Sequence, residues 1–133
     1  MKKFIISFML VLTSIFAFAQ SNEPVVLHSY KQAQASWYNG KANFGSSYYC
    51  ESVFIINHAR KTFVIQMDDY ESRTAIIEIE QHKSQSGADI FDYEIVDKTG
   101  DIAHFIIFVQ PNGEAWAVLR LSNNTGYYFP DIL

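Results

Sequence analysis

Glu94, His104 and Arg120 are the residues of this sequence whose types and positions can combine into chemistry. Laid side by side on three neighbouring strands they form a row of carboxylate, imidazole and guanidinium, with Asp92 diagonal to the imidazole. Such a row can hold an anionic or sugar-like group, or move a proton to and from a bound molecule. The favoured reading of the row by itself is a solvated cross-strand charge ladder, common on exposed sheets, each pair worth roughly a few tenths of a kcal/mol. The rows beside it separate the two readings. Ile106 with Val118, and Phe108 with Trp116, would share the same outer face. An exposed sheet face rarely carries that many large apolar groups unless something covers them. Trp116, Phe108, His104, Arg120 and Glu94 are therefore the candidate ligand-binding residues, and the cover is either the 21–49 segment or a partner.

Other chemistry is mostly excluded. His28, His58, His82 and His104 stand far apart, with no pair at metal-ligand spacing and only one cysteine, Cys50. Asp97 to Asp101 superficially suggests a calcium loop, but the later carboxylates are missing and a hairpin turn accounts for it. No Gly-x-Ser-x-Gly elbow and no phosphate-cradling glycine loop occurs. No cofactor and no metal is implied. Cys50 has no partner for an intramolecular disulfide and reads as a small buried hydrophobe.

What must position the row is a three-stranded antiparallel ribbon over 90–121, registered by its turns. Gln110-Pro111-Asn112-Gly113-Glu114 has proline to preset φ and glycine where φ turns positive. Asp97-Lys98-Thr99-Gly100-Asp101 repeats that logic, with the Asp97 side chain able to bond the turn backbone. Counting outward pairs Ile95 with Ala103 and Leu121, Tyr93 with Phe105 and Leu119, and Phe91 with Ile107 and Ala117. That face is wholly apolar, with large residues beside alanines, and is expected to be core. A slip of one residue would exchange the two faces.

The rest of the chain fits around this ribbon. Lys2 and Lys3, an apolar run over 4–16 and the small-x-small site Ala17-Phe18-Ala19 have the form of a secretory signal peptide, 1–19. The run is short of the about 20 residues that span a bilayer, so no membrane span is expected after cleavage. Residues 20–133 are expected to form a single β domain, exported to the periplasm or beyond. The formal charge of −4 becomes more acidic once Lys2 and Lys3 are lost, which argues against nucleic acid and anionic membranes as partners. An aromatic content of 16% makes a core without disulfides credible.

Over 24–30 the pattern allows a strand, and over 31–38 the Ala and Gln residues favour a short helix. Trp37, Tyr38, Phe44, Tyr48 and Tyr49 cluster here, as in a segment that covers a barrel end or sheet face. Residues 53–57 and 62–67 read as strands around a four-residue loop beginning at His58. Ala75, Ile77 and Ile79 alternate with Ile76, Glu78 and Glu80, which predicts a strand with the first set inward. Residues 81–88 read as a flexible polar loop and 127–129 as a last short strand. Sequential hairpins without a helical crossover predict an all-β antiparallel up-and-down meander, a small barrel or curled sheet, with a two-sheet β-sandwich as the alternative.

The functional expectation is a non-catalytic binding module for a small ligand, glycan or exported protein partner. The alternative is a small exported hydrolase or isomerase using the Glu94, His104 and Arg120 row. No nucleophile or metal set accompanies His104, which favours the binding module.

Overall fold

The computed structural model describes residues 24–68 and 70–132, so the signal-peptide reading of 1–19 lies outside the described residues. The strands are β1 (Val25–Tyr38), β2 (Lys41–Phe44), β3 (Tyr48–Asn57), β4 (Thr62–Met67), β5 (Tyr70–Lys83), β6 (Asp89–Val96), β7 (Ile102–Val109), β8 (Ala115–Arg120) and β9 (Thr125–Phe129). From β3 to β9 each strand pairs with the next, all antiparallel, and β3 also pairs with β1. β9 then returns to β1, with Ala33 opposite Tyr128 and Ser36 opposite Thr125. The result is a closed eight-stranded barrel, with β2 as an extra strand beside the far end of β1. Closure excludes the sandwich, because no sheet is left to stack on another.

The ribbon register is as the turns predict. Tyr93 faces Phe105 and Phe105 faces Leu119, while Glu94, His104 and Arg120 share the neighbouring row. The two turns that set it belong to a set of four. In 84–88, 97–101, 110–114 and 121–125 the first amide donates to the fifth carbonyl, and the fourth amide donates back to the first carbonyl. The fourth residue takes a left-handed φ each time: 88° at Gly87, 91° at Gly100, 90° at Gly113 and 62° at Asn124. These are three-residue hairpin loops with a bulge, the connection that keeps flanking strands twisted together. Asp97 Oδ1 secures one of them by accepting from the Thr99 and Asp101 amides at 2.9 and 3.0 Å.

Three expectations are corrected. Residues 31–38 are not helical but the second half of β1. Ala33 and Ala35 pair across to Tyr128, Gly126 and Phe44, so the pairing of both strand edges outweighs a weak helix preference. The polar stretch 81–88 is strand as far as Lys83, leaving the loop to 84–88. In β5 a register shift between Ile76 and Glu78 puts Ile76 in the core with Ala75 on the outer face and Ile77 at the bulge, while Ile79 keeps the expected face, opposite Tyr93, yet is exposed. A bulge inserts one unpaired residue, so the inner face passes from Ile76 before it to Ile79 after it, and Ile79 is exposed because β4 does not extend beside it.

Inside the barrel, aromatic rings fill the middle. Phe54 lies 4.7 Å from Phe105 and 4.9 Å from Phe129, and Phe63 lies 4.8 Å from Phe105, measured between ring centroids. One end is also stoppered. Beyond β9 the chain carries Ile132 back into the core, 1% exposed, its amide 3.4 Å from the Ala115 carbonyl. At the same end the β3–β4 loop brings His58 Nε2 within 2.9 Å of the Tyr93 hydroxyl.

Candidate functional site

The opposite end of the barrel is open. There the inward residues are mostly aliphatic or short: Ile65 and Met67 from β4, Ser72 and Thr74 from β5, Ile95 from β6, Ala103 from β7 and Leu119 from β8, joined by the ring of Tyr127 from β9. The rings below are large, most of these side chains are smaller, and a cavity of about 520 Å³ remains between them. Eight strands enclose just enough width either for side chains to fill or for one small molecule. Here the lower half follows the first course and the mouth follows the second.

The rim is made by turns. The 97–101 and 121–125 loops contribute Asp97, Asp101, Ser122 and Asn123, and β5 contributes Tyr70. The Thr99 hydroxyl donates to Asp97 Oδ1 at 2.6 Å and holds that carboxyl below its ordinary range, so it is ionised at neutral pH. No lysine, arginine or histidine is among the residues lining the cavity. An apolar wall under a rim of carboxylates and neutral hydrogen-bonding groups suits a ligand with an apolar body and a neutral or cationic end. Among the described residues no cluster of three or more His, Cys, Asp or Glu side chains is placed to hold a metal ion.

The residues singled out in the sequence sit on the outside of the barrel. His104 bonds Asp92, with Nδ1 2.9 Å from Oδ1, and no bond joins it to Glu94 directly opposite. Arg120 turns away from the imidazole. Its Nη2 donates to Asn124 Oδ1 at 2.9 Å, and its guanidinium lies 5.3 Å from the Trp37 ring centroid. The row is thus resolved into a His104–Asp92 pair and a separate Arg120 cluster, flanking a shallow groove of about 420 Å³ that Ser122 also lines.

Phe108 and Trp116 stack face to face at 3.9 Å with 7° between their planes. Trp116 meets the edge of Tyr128 at 5.6 Å, and Tyr128 stacks on Phe44 at 4.3 Å. The cover expected from the 21–49 segment therefore exists in part: Phe44 and Trp37 come from it. The rings remain only half-buried along β7, β8 and β9, apart from the more exposed Phe44.

The mouth was not singled out in the sequence. Its walls have the same alternation as packed core, and its acids lie in a turn that already explains them. The legible trace is Ala103, a small residue flanked in its row by Ile95 and Leu121, which reads as interdigitation and is in fact room.

The geometry defines a small antiparallel barrel with one sealed end, one open end and a self-stacked aromatic stripe outside. No protein-family model matches the chain, and no curated protein matches it.

Proposed function

We propose that the chain is an exported, non-catalytic binding module that takes a small amphipathic ligand, apolar along its body and neutral or cationic at its polar end, into the mouth of the barrel. The observation that carries this is the asymmetry of the barrel interior. Ile132 and the ring-filled middle seal one end, while the other leaves about 520 Å³ of apolar-walled space open to solvent. Ligand sites are concave, mostly apolar, and of about 300–1,000 Å³, and barrel mouths are among their usual places. The ionised Asp97 and the absence of a cation in the lining select against fatty carboxylates and phosphates. Export rests on the signal-like residues 1–19.

A neutral naphthylamine fluorophore tests the reading. The wild-type chain is expected to enhance its emission saturably, and an anionic naphthalene sulfonate is expected to bind at least about tenfold more weakly. Ala103→Trp, which fills the mouth, should abolish the enhancement, while Trp116→Ala should leave it intact. Equal binding by wild type and Ala103→Trp would remove the cavity as the site.

A second reading keeps the outer face, with Trp116, Phe108, His104, Arg120 and Glu94, for a glycan or an exported protein. The ring series Phe108, Trp116, Tyr128 and Phe44 supports it, because stacked rings offer a platform of several residues. Under that reading Trp116→Ala abolishes binding and Ala103→Trp does not. The acid–base alternative has less support: among the described residues no hydroxyl or thiol is bonded to the His104–Asp92 pair.

A further inference from the structure

β5 outruns its neighbour on one side. β4 pairs with it from Met67 opposite Tyr70 to Thr62 opposite Ala75, and one more bond joins the Ile76 amide to the Lys61 carbonyl at 2.8 Å. On the other side β6 follows it as far as Lys83 opposite Asp89. Residues 77–83 therefore present one edge of backbone amides and carbonyls that no described segment pairs. At about 3.4 Å per residue that edge is about 24 Å long. Ile77 and Ile79 on it are 51% and 43% exposed, and it contains no proline. Long, apolar, unpaired edges are templates for another strand.

We infer that the occupant of this edge is a second copy of the chain, β5 against β5, antiparallel about a twofold axis. Charge order points to it. Residues 77–83 read Ile-Glu-Ile-Glu-Gln-His-Lys, acidic in the first half and basic in the second, so an antiparallel copy of itself is the complementary strand. The same pattern selects a register. A twofold perpendicular to the sheet keeps each residue on its own face, so the axis must pass through a residue rather than between two. Through Ile79, Glu78 would face Glu80 twice; through Glu80, that side chain would face its own copy. Through Gln81, Glu80 faces His82 at both ends and Ile79 lies along the stem of Lys83, whose ammonium is held by Asp89 at 3.4 Å. A carboxylate across from an imidazole N–H can accept a hydrogen bond from it, whereas two carboxylates directly across a strand pair oppose the pairing. The joined edges continue the sheet of one barrel into the next.

The test uses the full mature chain. Sedimentation velocity at rising concentration should show a monomer–dimer equilibrium. Gln81→Cys should give an interchain disulfide on mild oxidation, because residue 81 faces its own copy, while Glu78→Cys should not. His82→Glu, which sets acid against acid, should raise the dissociation constant at least about tenfold. The exchange Glu80→Lys with His82→Glu should restore it. All these side chains are exposed, so unfolding midpoints measured at concentrations where the chain is monomeric should stay at the wild-type value. A wild-type chain that stays monomeric at every concentration overturns the inference. So does a dimer indifferent to His82→Glu, or equal cross-linking through positions 78 and 81.

Discussion

At the scale of single residues, His58 couples the sealed end of the barrel to pH. Its imidazole sits on Tyr93, which is 1% exposed, with Nε2 2.9 Å from the phenol oxygen. Burial lowers its pKa from the ordinary 6.5 and pushes the Tyr93 phenol up for the same reason. The sign of the consequence is fixed by proton counting. As pH falls past about 6.5 the unfolded chain takes up a proton that the folded one still refuses, so stability falls with pH in that window. Unfolding midpoints between about pH 7 and 5 should decline in the wild type and flatten in His58→Gln, which keeps a bond to Tyr93 without titrating. An unchanged slope in His58→Gln would assign the titration to another histidine. Glu71 and Asp97, whose carboxyls are held low by Gln66 and Thr99 respectively, lose their contribution only at more acid pH. Cys50 is buried and unpaired, as its lack of a partner cysteine implied. Burial first, and then the Asp68 carboxylate, raise its pKa and keep it a thiol.

At the scale of elements, closure depends on how closely β9 approaches β8 and β1. Gly126 faces Arg120 on one side and Ala35 on the other, and a Cβ there would overlap the Leu119 carbonyl. Gly126→Ala must push β9 off β8 at the strand that completes the barrel. It is expected to cost about 1–3 kcal/mol or more in urea denaturation. Gly100→Ala, with open space around the added Cβ and strained only by its φ of 91°, should cost about 1 kcal/mol. The reverse ranking would show that β9 can shift without penalty. The repeated turn was half legible. Pro-Asn-Gly and Asp-Lys-Thr-Gly announce it at 110–114 and 97–101. At 84–88 it hides in a polar run, and at 121–125 asparagine takes the place of glycine. The bulge at Ile76 and Glu78 left no such mark, because alternation on either side of it looks continuous.

At the scale of the whole molecule, the fold is asymmetric along its axis, and the C-terminal residues make it so. Ile132 lies in the same apolar cluster as Val109, Ala115 and Phe129. Ile132→Ala should cost about 2–5 kcal/mol, the range for emptying a buried aliphatic site. The loss should appear in chemical denaturation, while fluorophore binding at the distant mouth keeps its affinity. A loss under about 1 kcal/mol would mean that the end is sealed by His58 and the rings alone.

The pairing of β6, β7 and β8, the division of their residues between core and outer face, and the meander itself follow from local chemistry. A turn of five residues sets φ, a period of two sets the face, and neither needs any contact from elsewhere in the chain. The sealed end, the open mouth, the return of β9 to β1 and the strand conformation of 31–38 do not follow in that way. Each depends on pairs far apart in sequence: Ala33 with Tyr128, His58 with Tyr93, Ala115 with Ile132. The same is true of the candidate row. Alternation places Glu94, His104 and Arg120 abreast, yet the imidazole bonds Asp92 and the guanidinium goes to Asn124 and Trp37. Register decides which side chains are neighbours, whereas rotamer, twist and the arrival of β1 decide which of them bond.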